Sequence, residues 1–277
     1  MSFFHDPIIW NRSRIALALL LLAVIVGFMW LALRPSEPDP VYKGKRLRDW
    51  LSYYDTPALD LDTMADLIRT STNDSERFPA SNEAVRHIGT NAIPMLLHRL
   101  RAKNSPLTLL SFMLARKQHV FKVKFTSAEN LRLEGAYGFE ALGARGRDPV
   151  PELIRMYETK RFSDFKDDVA EALGGIGPAA EKAVPALVRS LGDTNSGSWS
   201  TAVFALGRIH SHPEIAVPAL VKCLSAPYPN SRQIAAQAIA TFGPDAKPAI
   251  PDLLKLLSDS DANVRDSAKD AIKKIDP

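Results

Sequence analysis

Asp259 to Asn263 read DSDAN, the opening D-x-D-x-N of a calcium-binding loop. Such a loop needs glycine at its sixth position and a bidentate glutamate at its twelfth. This chain has Val264 and Asp270 there. The reading that fits is structural: an aspartate ahead of a helical stretch accepts hydrogen bonds from the orphan N–H groups of the first turn. His210 and His212 lie two apart with no third ligand nearby, a poor basis for zinc. His87 and His98 flank another loop, again without a cysteine or carboxylate at ligand spacing. Asp167, Asp168 and Glu171 crowd the start of a helical stretch, where acids complement the helix dipole. An acid–base pair is the lesser reading there. The one cysteine, Cys223, excludes an internal disulfide framework and a multi-cysteine metal cluster. It sits in an apolar phrase, as a buried, inert thiol does. No glycine-rich phosphate loop, G-x-S-x-G elbow or H-E-x-x-H pair occurs. These patterns point to no catalytic centre, metal or cofactor, and the chain is expected not to be an enzyme.

The informative pattern is periodic. KAVPALVRSL (182–191), IAVPALVKCL (215–224) and PAIPDLLKLL (248–257) recur every 33 residues. Pro185, Pro218 and Pro251 mark the beat, Pro151 precedes them by 34, and Pro94 lies 57 further upstream. Proline is tolerated in the first turn of a helix, where its missing N–H has no partner to lose. Each phrase is therefore expected to open a helix, with Val184, Leu187 and Leu191 on one stripe. A second helix keeps the same beat. Ala172, Ala205, Ala238 and Ala271 form one row, and Leu173, Leu206, Ile239 and Ile272 form another. Val169, Leu173 and Ile176 give its apolar stripe. Gly174, Gly177, Gly207 and Gly243 stand where this second helix is expected to end. A pair of short helices cannot bury its stripe alone, so a 33-residue period implies units stacked on a continuous core.

Two rows of the second helix are polar except in one unit. One runs Glu171, Phe204, Gln237, Asp270; the other runs Lys166, Trp199, Arg232, Arg265. Aromatics and arginines dominate protein interfaces. Trp199 and Phe204 are therefore candidates for the centre of a binding site, with Arg208, Arg232, Gln237 and Arg265 around them. Five residues apart on a helix, the two aromatics lie ~140° around the axis. They can border a groove from two sides but not both point into it. The alternative is that Trp199 packs between helices and Phe204 fills a gap.

The pattern of PALVRSL, a turn with Asp, a basic residue and then A–ALG-I resembles HEAT repeats, particularly the short bacterial type. Residues 250–275 fit it best, and no T-P-L-H phrase of ankyrin repeats occurs. Residues 84–100 and 131–157 carry weaker versions. With YKGKRLRDWL (42–51) and the apolar run described below, the chain resembles bacterial membrane-anchored HEAT-repeat proteins. The resemblance implies an all-α superhelix whose second helices line the concave face. It extends in a weaker sense to bilin lyases among short HEAT-repeat proteins, which hold a tetrapyrrole.

Residues 15–33 contain nineteen residues without a charge. As a helix they span roughly 28 Å, about one hydrocarbon core. Arg12, Arg14 and Arg34 flank the run, Trp10 and Trp30 lie near its ends, and its exit lacks a small-x-small cleavage site. An uncleaved single-pass anchor follows, in a bacterial inner membrane, with the C-terminal part on the exported side. RPSEPDP (34–40) is a proline-rich spacer. The organisation expected is an N-terminal flank (1–14), the anchor (15–33), a linker (34–41), a degenerate helical region with a basic insertion (42–138), and regular repeats (139–277). Between Arg99 and Arg147 ten Lys/Arg face three Glu. This is either a solvated helix face or a contact for anionic lipid headgroups or an acidic partner. Within that stretch SPLTLLSFMLARKQHV (105–120) reads as a helix and FKVKFT (121–126) as a short alternating stretch. Thr126 to Glu129 has capping-box spacing for the next helix.

The net charge of +4 is weak evidence for an anionic partner, and nucleic acid is not expected. The expected function is a membrane-tethered scaffold that binds a protein or peptide on its concave surface. The alternative is a bilin-lyase-like or chaperone-type protein that handles a ligand or client. Lipid or nucleic-acid binding by the 99–147 segment is the third and weaker option.

Overall fold

A computed structural model describes residues 38–54, 79–103, 126–159, 165–192 and 198–277. The apolar run 15–33, the expected helix at 105–120 and nearly all of FKVKFT lie outside these residues. No helix among the described residues is long and apolar enough to cross a membrane. Residues 38–277 form one unit.

Lys43 and Gly44 both take left-handed backbone, φ 47° and 74°. That is the geometry of a two-residue hairpin turn. It pairs β1 (Val41–Tyr42) antiparallel with β2 (Lys45–Arg46). These are the only strands among the described residues. The rest is helical: α1 Leu47–Leu51, α2 Pro79–Ile88, α3 Ile93–Leu100, α4 Ala128–Leu142, α5 Val150–Glu158, α6 Lys166–Ile176, α7 Val184–Ser190, α8 Ser198–Ile209, α9 Pro213–Cys223, α10 Pro229–Thr241, α11 Ile250–Leu256 and α12 Ala262–Ile275. The first helices of the repeat are α3, α5, α7, α9 and α11. The second helices are α2, α4, α6, α8, α10 and α12.

The proline phrases open their helices as expected in four of five cases. The exception is α9, which starts at Pro213 and carries Pro218 inside it. The change from irregular to regular spacing at 138–139 falls within α4, which packs on both α3 and α6. It is a change of register, not a break in the stack. The cap of α4 is one residue later than the sequence predicts: Ser127 accepts the Asn130 N–H at 3.1 Å.

The apolar stripes form one continuous core. Val184, Leu187 and Leu191 are buried, as are Val169, Leu173 and Ile176. Full burial of such a side chain stabilises by ~1.5–3 kcal/mol, so each unit depends on the neighbour that covers it.

The two layers pack differently. Successive second helices, α4 to α6 to α8 and α10 to α12, lie in extended contact, whereas α5, α7 and α9 touch only lightly. In a curved stack the more closely spaced layer is the inner one. The cause is small residues. A Cβ on Gly174 would stand 3.0 Å from the Ala205 Cα, and one on Gly175 would stand 2.8 Å from the Glu140 Cα. Gly174 and Gly207 therefore do not end helices. They lie inside α6 and α8, buried, where the neighbouring helix comes closest. The residues that end second helices are Gly89, Gly143, Gly177 and Gly243, all with positive φ. In the unit of α8, that place is held by His210 at φ 47°, stacked on Phe242 with ring centroids 5.2 Å apart.

Candidate functional site

Trp199 and Phe204 share α8 and have opposite environments. Trp199 is 3% exposed and belongs to the core. Its indole N–H leans on the Cys223 thiol of α9, a weak acceptor, and has no other partner among the described residues. The placement of Trp199 as an exposed anchor is therefore corrected: it packs between the layers. Its row explains why. Positions Lys166, Arg232 and Arg265 are half-buried where helix meets loop, and a large ring at that place is covered by neighbouring helices.

Phe204 is 45% exposed. It borders a shallow groove of about 130 Å³ with Gly207, Arg208, Gln237, Ala238 and Thr241. The groove lies between α8 and α10 on the inner layer. Its floor exists because Gly207 and Ala238 are small, with an added Gly207 Cβ 3.5 Å from the Ala238 Cα. The structure thus brings together Phe204, Arg208 and Gln237 of the predicted set.

Arg208 is held in place. Its two terminal nitrogens bind Glu171 of α6 and Glu140 of α4, each at 2.7 Å. To reach Glu140 the side chain crosses α6, where its Cδ would pass 3.6 Å from a Gly174 Cβ. That is an ordinary contact; what requires glycine at 174 is the Ala205 Cα of α8, which a Cβ would meet at 3.0 Å. Glu140 was not singled out from the sequence; the available signal is a glycine one unit earlier beside a long cation. The result is an inner surface with a fixed charge pattern around one exposed aromatic ring.

Arg232 and Arg265 do not border the groove. Arg232 donates from Nε and Nη2 to the two carboxylate oxygens of Asp259, at 2.8 and 2.7 Å, and from Nη1 to the Ala226 carbonyl. Arg265 donates to the Asp259 and Ser260 carbonyls. Both tie loops to helices. A planar fork that saturates its donors on a carboxylate and on carbonyls has few left for a partner.

The other residues with chemical potential are also in structural roles. Asp261 caps α12 through the Asn263 and Val264 N–H groups, so DSDAN is a cap. His212 bonds Glu214 at 3.0 Å. Burial pushes the Asp168 carboxyl above the usual carboxylate range, and Arg132, donating from Nε at 2.6 Å, opposes that shift. Burial pushes the Cys223 thiol up to about 11, so it is protonated at neutral pH and a poor nucleophile. No group of three or more metal-ligating side chains occurs among the described residues. In the basic stretch, Arg99 pairs with Glu134, Arg101 with Glu152 and Arg132 with Asp168. Much of its described charge is thus neutralised within the fold.

Residues 199–273 match the family described as HEAT repeats. Among the solved structures that resemble the chain are three engineered proteins from a structural genomics consortium. The first is 20% identical with a TM-score of 0.43 over 83% of this chain and 63% of its own length. The second is 22% identical with a TM-score of 0.42, over 82% of this chain and 96% of its own. The third is 19% identical with a TM-score of 0.42, over 79% and 99%. No curated protein matches the chain. Residues 199–273, from α8 to α12, are thus similar to HEAT repeats, and the described helices before them form pairs of the same kind.

Proposed function

We propose that the protein is a membrane-tethered HEAT-like scaffold that binds a protein or peptide on its inner layer, at the groove beside Phe204. The observation that carries this reading is Phe204 itself. It is an aromatic ring in solvent, in a row otherwise made of Glu171, Gln237 and Asp270, above an apolar groove and beside an arginine fixed by two carboxylates. Rigid aromatic anchors of this kind carry a large share of binding energy at interfaces. Tethering rests on the uncharged run 15–33 and its arginine and tryptophan flanks. Its setting in a bacterial inner membrane, with the stack on the exported side, belongs to the same proposal.

The test places a photo-crosslinking amino acid at Phe204 in the full chain in native membranes. A second version carries it at Lys222 on α9, in the outer layer. The expected result is a discrete protein adduct from position 204 and none from 222. Phe204→Ala should weaken capture of that same partner by ~30-fold, which corresponds to ~2 kcal/mol, with little change in stability. Adducts from 222 alone would move the site to the outer layer. Extraction with alkaline carbonate checks the tether: the chain should stay in the membrane pellet.

A further inference from the structure

We propose that the N-terminal cap, residues 38–54, docks on an anionic phospholipid surface, that of the bilayer holding residues 15–33; this rests on the anchor reading above.

The covalent chain supplies the first argument. Asp39 and Pro40 are pinned to the cap: the Leu47 N–H donates to the Pro40 carbonyl at 2.8 Å, the Arg48 N–H donates to Asp39 Oδ1 at 3.1 Å, and Arg48 Nε also binds Asp39. Only residues 34–38 then separate the end of the apolar run from the folded unit. Even fully extended they span no more than roughly 20 Å. The headgroup layer takes up much of that distance, since headgroups add ~5–8 Å on each side of the hydrocarbon.

The surface of the cap supplies the second. Of the four basic residues here, Lys43 pairs with Glu83 of α2 at 2.9 Å and Arg48 with Asp39, which leaves Lys45 and Arg46 with no ion pair among the described residues. Val41 is 62% exposed and Tyr53 is 51% exposed. Val41 and Arg46 pair across the hairpin and share one of its faces, while Lys45 shares the other with Tyr42 and reaches Trp50 and Tyr53 from there. Lys45 Nζ lies 4.9 Å from the Trp50 ring and 5.3 Å from the Tyr53 ring, and donates to the Tyr53 hydroxyl at 2.9 Å. Lysine lying along aromatic rings at a protein surface is the combination that suits the headgroup layer, where rings sit at the boundary and ammonium groups meet phosphate. A basic residue near an anionic bilayer changes its occupancy by about fivefold.

The cap is also rigid enough to transmit that contact. The Trp50 indole donates to the Tyr42 carbonyl at 3.1 Å, and the Ser81 hydroxyl of α2 donates to the Trp50 carbonyl at 2.9 Å. Tyr54 is buried and donates to Asn82 at 2.5 Å.

The experiment uses the full chain with Cys223→Ser and Tyr53→Cys, labelled with an environment-sensitive dye and reconstituted into vesicles. One set is neutral phosphatidylcholine; the other contains about one-third phosphatidylglycerol, a composition chosen on the ground that surface potential follows anionic lipid content. The expected result is a blue shift, and at least ~2-fold more quenching by a headgroup-level quencher, in the anionic vesicles only. Lys45→Gln should lower the docked-to-free ratio by ~5-fold, while Lys255→Cys on α11, labelled likewise, should read as water in both. A water-exposed dye at position 53 in both vesicle types overturns docking while the anchor stands. Release of the chain by carbonate overturns the anchor instead.

Discussion

The inner and outer layers of this stack follow different rules. Inner helices approach through small residues, and at Gly174 and Gly175 an added methyl group would meet neighbouring backbone at 3.0 and 2.8 Å. Outer helices are tied to the stack by leucines and contact each other lightly. The layer with the small residues is the one whose helices come closest to one another. That closeness also decides where binding chemistry can sit. It leaves α8 and α10 close enough to enclose a groove, and it lets Arg208 reach across α6 to Glu140.

The largest test of this contrast is Trp199→Ala, since Trp199 is the ring of α8 that lies in the core. Its removal should cost ~3–5 kcal/mol, a fall in thermal midpoint of roughly 10 °C. Phe204→Ala, on the same helix, should stay within ~0.5 kcal/mol of the parent. Calorimetry of the two variants separates the packed ring from the solvated one. Equal losses would mean that α8 has no free face.

A smaller effect comes from a single methyl group. In Gly175→Ala the new Cβ meets the Glu140 Cα, Cβ and N at 2.8, 2.8 and 3.0 Å. Most of these atoms are backbone, so α4 and α6 must separate, at ~1–3 kcal/mol. Gly192→Ala, beyond the end of outer helix α7, meets only the Arg189 carbonyl oxygen at 3.7 Å, an ordinary contact. It should be neutral or slightly stabilising. Denaturant midpoints of the pair measure how far close packing is confined to the inner layer.

The smallest effect concerns the loop ties. Asp259 is held below the usual carboxylate range, first by hydrogen bonds from Arg232 and next by the Asp261 N–H. A depressed folded value stabilises the fold where the carboxyl is ionised in both states, above its ordinary range. That contribution is lost as pH falls through the folded value. Asp259→Asn should cost on the order of 1 kcal/mol at pH 7, and the gap to the parent should close in acid. Thermal melts at a series of pH values give the comparison; a constant gap would show that the ion pair contributes nothing.

How much was legible beforehand depends on the residue. Val184, Leu187 and Leu191 announced their burial through spacing alone, and the 33-residue beat carried the helix pairs and their order. The glycines were harder. Gly174 and Gly177 look alike in the sequence, but one lies under a neighbouring helix and the other ends its own. The difference is a contact between units, which no local pattern contains. Trp199 and Phe204 were equally conspicuous departures from polar rows. Only the placement of α9 over one and of open solvent over the other assigned packing to the first and the groove to the second.

One row of outer leucines makes the same point. Leu191, Leu224 and Leu257 occupy one row; the first two are buried and the last is 40% exposed. The residue type is identical, so composition cannot tell them apart. Periodicity by itself determined the helices, their apolar stripes and the need to stack, because those follow from the 3.6-residue turn and from burial that one pair cannot complete. Which face curves inward, which arginine reaches a partner carboxylate and which aromatic meets water were decided by tertiary structure alone. They depend on distances between residues on different helices and loops, far apart in the chain, and those distances are set by how closely neighbouring helices come.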